Sequence, residues 1–194
     1  MNVAVTRAAE GYPRRAFTVV DVQRMIEIGV LREGENFELI EGELVMMAAK
    51  SHAHDLIKND LSTALIRTAP RELMVCVENT LQLADDVLVE PDIAIVARSG
   101  FTPDSRGLTR PRHEDVRLII EIAVSSLSYD RHLKSRLYAR QGIREFWVID
   151  ANERITWVHT DPSGEGWSSI VERGPKDALT TPALPGFSIR LGEI

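Results

Sequence analysis

RLIIEIAVSSLSYDRHLKSRLYARQGIREFWVID, residues 117–150, reads as strand, turn, helix, strand, and this unit decides the fold. Leu118, Ile120 and Ile122 fall on one face of its first strand and Ile119 and Ala123 on the other, the pattern of a central strand covered on both sides. Glu121 interrupts that apolar run. A carboxylate taken out of water without a partner costs several kcal/mol, so Glu121 is expected to be paired, protonated or bound to a cation. The helix expected over residues 129–141 supplies one. Leu133 and Leu137, at i and i+4, form its expected buried seam, and Lys134 beside them can point back at the strand. The strand ending at Asp150 should then lie parallel to the Glu121 strand, joined to it by a right-handed crossover.

The bounds on the whole chain agree with such a unit. A length of 194 residues with 44% hydrophobic content suits one domain with a real core, expected over 16–194 behind a flexible arm at 1–15. A formal charge of −6 argues against non-specific coating of nucleic acid, without excluding a local basic site. Cys76 is the single cysteine, which excludes an internal disulfide framework and a cysteine zinc cluster and suits a reducing cytoplasm. No long apolar run or basic-then-apolar leader is present, so neither membrane insertion nor export is expected.

Outside the central unit, Thr18 and Asp21 have capping-box spacing for a short helix stopped at Gly29. FELIEGELVMM, residues 37–47, reads as a hairpin turning at Glu41-Gly42. Ser51 opens a helix that places Leu56, Ile57, Leu61, Ala64 and Leu65 on one face and stops at Pro70. Residues 73–83 and 87–96 form an expected antiparallel pair. Residues 97–114, rich in Gly, Pro, Arg and Asp, read as an exposed loop. A second hairpin, 155–160 with 167–173, is expected to turn through Asp161-Pro162-Ser163-Gly164, and the tail 182–191, with Pro182 and Pro185, reads as an edge strand.

Chemistry enters with Pro91-Asp92 in VEPDIAIV. A strand continuing past the proline puts Asp92, Ala94 and Val96 on one face and Ile93 and Ile95 on the other. If it lies beside the Glu121 strand, Asp92, Glu121 and Lys134 converge into a hard-oxygen site for Mg²⁺ or Mn²⁺ with a cation next to it. Such a site suits phosphodiester hydrolysis, with Lys134 orienting water or offsetting transition-state charge. Removing Asp92 is then expected to leave the fold intact or stabilised, because it relieves like-charge repulsion. The plainer reading is that each strand carboxylate is half of an ion pair. His52, His54 and His132 lack zinc spacing and read as core or surface residues. Ser125, Ser126 and Ser128 read as a turn rather than a nucleophile elbow.

The order Pro91-Asp92, Glu121-Ile122-Ala123, Asp130-Arg131 with Lys134, residues 138–143 (YARQGI) and residues 145–150 (EFWVID) resembles the Uma-type family of putative restriction endonucleases. Residues 37–44 resemble that family's N-terminal hairpin, and His54 its helix histidine. The resemblance runs from about Phe17 to the C-terminus. It implies an α/β fold of the PD-(D/E)XK kind: a restriction-endonuclease-like core with a mixed β-sheet flanked by helices, an N-terminal helix and hairpin, and a C-terminal β extension. In that motif a lysine stands two residues after the acid. Here Ala123 holds the place, so the resemblance implies that the lysine has moved to Lys134. It implies further that Asp92, Glu121 and the carbonyl of Ile122 hold the metal, that Lys134 is base or water-orienting group, and that Glu38, Glu43 or Asp130 is an accessory acid.

Substrate contact is expected from Arg131, Arg136 and Arg140, with Arg144 on the same helix end and Arg98, Arg106, Arg110 and Arg112 in the long loop. A solvated helix face and a polar loop account for them equally well. Phe146-Trp147 and the C-terminal hairpin offer surface for a homodimer. The reading is a divalent-metal-dependent endonuclease acting on DNA; the alternative is a catalytically inactive nuclease-fold protein that binds nucleic acid or dimerises.

Overall fold

Strand alternation sorts the apolar residues at the centre of the fold onto two faces, and each face collects its own core. The computed structural model describes residues 5–7, 11, 13–32, 35–47, 51–101, 111–164 and 166–194. In it β9 (Val116–Ala123) sends Leu118, Ile120 and Ile122 into one core and Val116 and Ile119 into the other. It lies parallel to β10 (Glu145–Asp150), with Glu121 opposite Val148, as the sequence requires. On its other side it pairs antiparallel with β8 (Ile93–Ala97), and β5 (Leu73–Val77) pairs antiparallel beyond that. The antiparallel hairpin of β11 (Ile155–Ser163) and β12 (Gly166–Arg173) extends the sheet past β10 to six strands, in the order β12-β11-β10-β9-β8-β5.

One face is covered by α2 (His52–Thr68), through Ile57, Leu61 and Leu65, and by the C-terminal residues Leu179, Leu184, Phe187 and Leu191. The other is covered by the helix between β9 and β10 and by a four-stranded sheet. That sheet consists of β3 (Phe37–Ile40), β4 (Glu43–Met46), β6 (Leu81–Ala84) and β7 (Val87–Val89), in the order β4-β3-β7-β6. α1 (Val19–Glu27), capped by Thr18 and Asp21, packs Val19 and Val22 on Leu39. In the β3–β4 turn Glu41 and Gly42 both have positive φ, 50° and 83°. This suits a tight hairpin turn, and a Cβ at position 42 would stand 2.6 Å from Ala16 Cβ, so only glycine fits.

The helix after β9 is not uniform. It runs as α3 (Leu127–Tyr129), a wide π turn (Asp130–Lys134) and α4 (Ser135–Arg140), with the Ser135 amide bonded five residues back to Asp130. π turns of this kind recur at functional sites. The extra residue turns Leu133 outward, 36% exposed, and carries Lys134 inward, 4% exposed, above Leu137 and Tyr138. The expected Leu133–Leu137 seam is thereby replaced by one through Lys134, Leu137 and Tyr138. Leu56, expected on the buried face of α2, is half exposed, because that face runs through His54, Ile57, Lys58 and Leu61.

Three other expectations change. The 73–83 and 87–96 runs are antiparallel throughout but divide between the two sheets: Glu78, at φ 56°, breaks one and Glu90-Pro91-Asp92 breaks the other. The 155–173 hairpin pairs on as far as Ser163 with Gly166, so its turn lies past Pro162, which faces Trp167. The tail is no edge strand. Turns at Thr181 to Leu184 and Leu184 to Phe187 fold it into a cover for the sheet, touching it to itself by an isolated Leu179–Ile189 bridge. Of the expected arm, β1 (Val5–Arg7) pairs antiparallel with β2 (Pro13–Arg15); residues 102–110 of the expected loop, with Arg106 and Arg110, lie outside the described residues. No helix of the described residues is long and apolar enough to cross a membrane.

Candidate active site

The break at Glu90-Pro91-Asp92 is where the chain leaves one sheet for the other, and the candidate residues gather there. Proline has no N–H, so the β8–β9 ladder ends at Ile93 opposite Ile120. Beyond it the Asp92 side chain replaces a strand: its Oδ2 accepts the Ile122 amide at 2.7 Å. A strand residue's N–H and C=O leave by the same edge. The carbonyl of Ile122 therefore also faces the gap left by Pro91. Asp92 Oδ1 lies 2.8 Å from His54 Nε2, and the other imidazole nitrogen lies 3.2 Å from Asp55. Lys58 continues the chain of contacts to Asp55 at 3.0 Å and to Glu78.

Glu121 forms the second half. Its Oε1 accepts from Lys134 Nζ at 2.9 Å and from Tyr138 Oη at 2.7 Å. Lys134 also donates to Glu38 Oε1 at 3.1 Å, and that oxygen accepts the Glu90 amide at 3.0 Å. Asp130, one turn before Lys134, makes no ion pair with it among the described residues; its carboxylate accepts from Ser126 Oγ at 2.7 Å. Glu38, Asp92, Glu121, Asp130 and Lys134 are all buried. With His54, Glu90 and Ile122 they line a cleft of about 250 Å³, to which Val45, Met46, Met47 and Val124 add apolar surface.

Burial first, and then the neighbouring charges, set the titration directions in the cleft. Burial pushes the Glu121 carboxyl well above its usual range; Lys134 opposes this, and Asp92, Asp130 and Glu38 add to it. Burial by itself would favour a neutral Lys134, but Glu121, Glu38 and Asp130 outweigh it and hold the ammonium charged beyond the ordinary lysine range. Asp130 is raised by burial against the opposing Lys134 and Ser126. Burial would depress His54, but the hydrogen bond and charge of Asp92, with Asp55, raise it.

The structure thus brings together Asp92, Glu121, Ile122, Lys134, Glu38 and Asp130. Glu43 is exposed and outside the cleft lining: it pairs with Ile40 at the turn end of the hairpin, whereas Val45, the partner of Glu38, reaches the cleft. Among the described residues no three His, Cys, Asp or Glu converge as a ready-made metal cage. Of the candidate basic residues, Arg140 pairs with Glu41 at 2.7 Å and Arg131 lies 3.9 Å over the Trp157 ring. Arg98 is bound to the carbonyls of Arg71 and Leu73. Arg136 is exposed on α4. Phe146 and Trp147 are fully buried and offer no dimer surface.

Sequence reasoning missed His54 and Tyr138 as site residues. The signals were there: His54 shares the i, i+3, i+4, i+7 face of Ile57, Lys58 and Leu61, and Tyr138 stands one turn after Lys134. The Asp92 contacts also reverse one expectation. Asp92→Ala would strand the buried Ile122 amide and His54, so it is expected to lower stability by about 1–3 kcal/mol rather than raise it. Asp92→Asn, which keeps an acceptor, should lose less; urea unfolding of the two variants checks this.

A mixed sheet flanked by helices, with the acids at the break between strands, defines a restriction-endonuclease-like core. Residues 19–192 match the Uma2 family, described as putative restriction endonucleases, and the chain belongs to that family. Among solved structures it is similar to a putative nuclease belonging to DUF820 from Anabaena variabilis, with a TM-score of 0.70 and 16% identity over 91% of this chain and 96% of that one. At that identity the likeness concerns the fold. No curated protein matches the chain.

Proposed function

We propose that this protein is a divalent-metal-dependent endonuclease that hydrolyses DNA phosphodiester bonds, with Mg²⁺ or Mn²⁺ held by Asp92, Glu121 and the Ile122 carbonyl. Surplus buried negative charge carries the reading. Among the described residues lining the cleft are four buried acids, Glu38, Asp92, Glu121 and Asp130, against one lysine and His54. Carboxylates out of water in excess of cations are costly, and a divalent ion would balance them. The donors are hard oxygens, the kind such ions select, and the Ile122 carbonyl faces a gap without a strand N–H. When bound, the ion would polarise the phosphate and acidify a water.

The chain's own groups would do the rest. Tyr138 and Lys134 fix Glu121, and the Ile122 amide and His54 fix Asp92. Of the two roles expected of Lys134, its acidic surroundings favour a permanent cation that orients water and offsets charge on the phosphate, since a base must give up its proton. Family membership and the nuclease-like fold support the reading. Arg136 is the first choice for a DNA-backbone contact. The exposed Ile170 and Val171 of edge strand β12 are the surface for a homodimer cutting two strands. A cytoplasmic setting suits Cys76, a buried thiol whose pKa burial pushes up to about 11.

Nicking of supercoiled plasmid with Mg²⁺, Mn²⁺ or chelator tests the proposal; metal-dependent nicking that stops in chelator is the expected result. One observation favours the alternative, since Asp92 and Glu121 are each engaged by protein partners. Metal and DNA binding without nicking would make the protein a nuclease-fold binding or dimerising module.

A further inference from the structure

Two buried side-chain oxygens among the described residues lack a hydrogen-bond partner, Thr156 Oγ1 and Tyr129 Oη. Such groups are rare, because each is a standing cost to the fold, and one that borders a functional cleft points to an absent acceptor. Thr156 lies fully buried in β11, away from the cleft lining. Tyr129 lines the cleft next to Asp130, with the Lys134 ammonium 5.9 Å from the centre of its ring.

We propose that the Tyr129 hydroxyl is a substrate contact, donating its hydrogen bond to a non-bridging oxygen of the phosphodiester being cut. The inference deepens the nuclease reading and rests on it. Carboxylates stand near Tyr129, yet none accepts from it: Glu38 Oε1 accepts from Lys134 and the Glu90 amide, Asp130 Oδ2 from Ser126, and Glu121 Oε1 from Lys134 and Tyr138. Burial and those same carboxylates hold the phenol protonated, so it acts as a donor at neutral pH. A phosphate oxygen drawn toward the Lys134 charge is the acceptor that completes it, and a bond to an anionic oxygen is stronger than one between neutral groups. The π turn that follows Tyr129 carries Lys134 inward from the same helix, so the donor and the cation are set by one element.

Tyr129→Phe deletes only the hydroxyl. Single-turnover nicking with Mg²⁺ is expected to slow about 10-fold or more, the scale of one hydrogen bond to a charged group. Calorimetric Mn²⁺ affinity should not change, and Tm should be unchanged or higher, because an unmade hydrogen bond has been removed. Thr156→Val, the control, should raise Tm and leave the rate alone. Wild-type nicking beside an equally fast Tyr129→Phe overturns the inference alone, as does a slower Tyr129→Phe that has also lost Tm or Mn²⁺ affinity. A wild type that neither nicks nor binds plasmid overturns the nuclease reading, and the inference falls with it.

Discussion

Lys134→Ala is expected to cost about 3–5 kcal/mol of stability near neutral pH, the scale of breaking a buried ion pair from one side. It should also slow metal-dependent nicking by about 10²-fold or more. The ammonium sits between Glu121 and Glu38, at 2.9 and 3.1 Å, and all three side chains are at most 5% exposed. Without it two carboxylates remain in a site that already holds Asp92 and Asp130. The sign of the pH dependence follows from the raised pKa of Lys134 in the folded chain. Its contribution is fully present below the ordinary lysine pKa, so it spans the neutral range and fades only in strong alkali. The stranded acids add a second slope: they can take up protons, so the loss should shrink as pH falls toward the carboxylate range. Urea unfolding at about pH 5 and about pH 8 reads this second slope, given ordinary carboxylate pKa values near 4. A loss under about 1 kcal/mol at both would reduce Lys134 to the standing of a surface ion pair. Adding Ala123→Lys should return part of the nicking rate, since positions 121 and 123 project to one face of β9.

The sequence made legible whatever depends on local period. Alternation placed Glu121 among apolar residues of a doubly covered strand and separated Ala94 and Val96 from Ile93 and Ile95, and the strand–helix–strand order paired β9 with β10 in parallel; Asp92, in the bend before β8, left the alternation to reach the Ile122 amide. Period says which residues share a face; it does not say which faces meet. Glu38 reaches Lys134 across 96 residues and His54 reaches Asp92 across 38, so neither contact leaves a local trace. The π turn was hidden for another reason. Leu133 and Lys134 compete for one inward position, and in an ordinary helix the leucine has the better claim. The acids on β3 and β9 decide it for the lysine, and the backbone widens to let it in. The C-terminal tail misled because its prolines fit an edge strand as well as they fit the turns that fold Leu184 and Phe187 onto the sheet.

Glu121→Gln is expected to separate what the site costs from what it does. The substitution keeps the shape of the side chain and an oxygen that can accept from Lys134 and Tyr138, but it removes the charge. Burial, the largest influence on Glu121, raises its folded-state pKa above the unfolded value. A raised acid contributes stability that is fully present below its unfolded pKa and is lost as pH rises through the folded one. Metal-free wild type should therefore weaken from the ordinary carboxylate range upward, while Glu121→Gln, which cannot ionise there, should not. Their Tm values should diverge in favour of the variant as pH rises from about 5 to about 9. Mn²⁺ should reverse the order. At about 100 times its dissociation constant an ion that binds only the folded state adds about 2.7 kcal/mol, and wild type should gain this where the variant gains almost nothing. Nicking by the variant should fall by about 10²- to 10³-fold, the scale of losing a charge-stabilising group at the reacting centre. A Tm difference independent of pH would mean that Glu121 is ionised throughout as the partner of Lys134. Equal Mn²⁺ stabilisation of both proteins would place the ion away from Glu121, and Asp92 would then have to hold it without its neighbour.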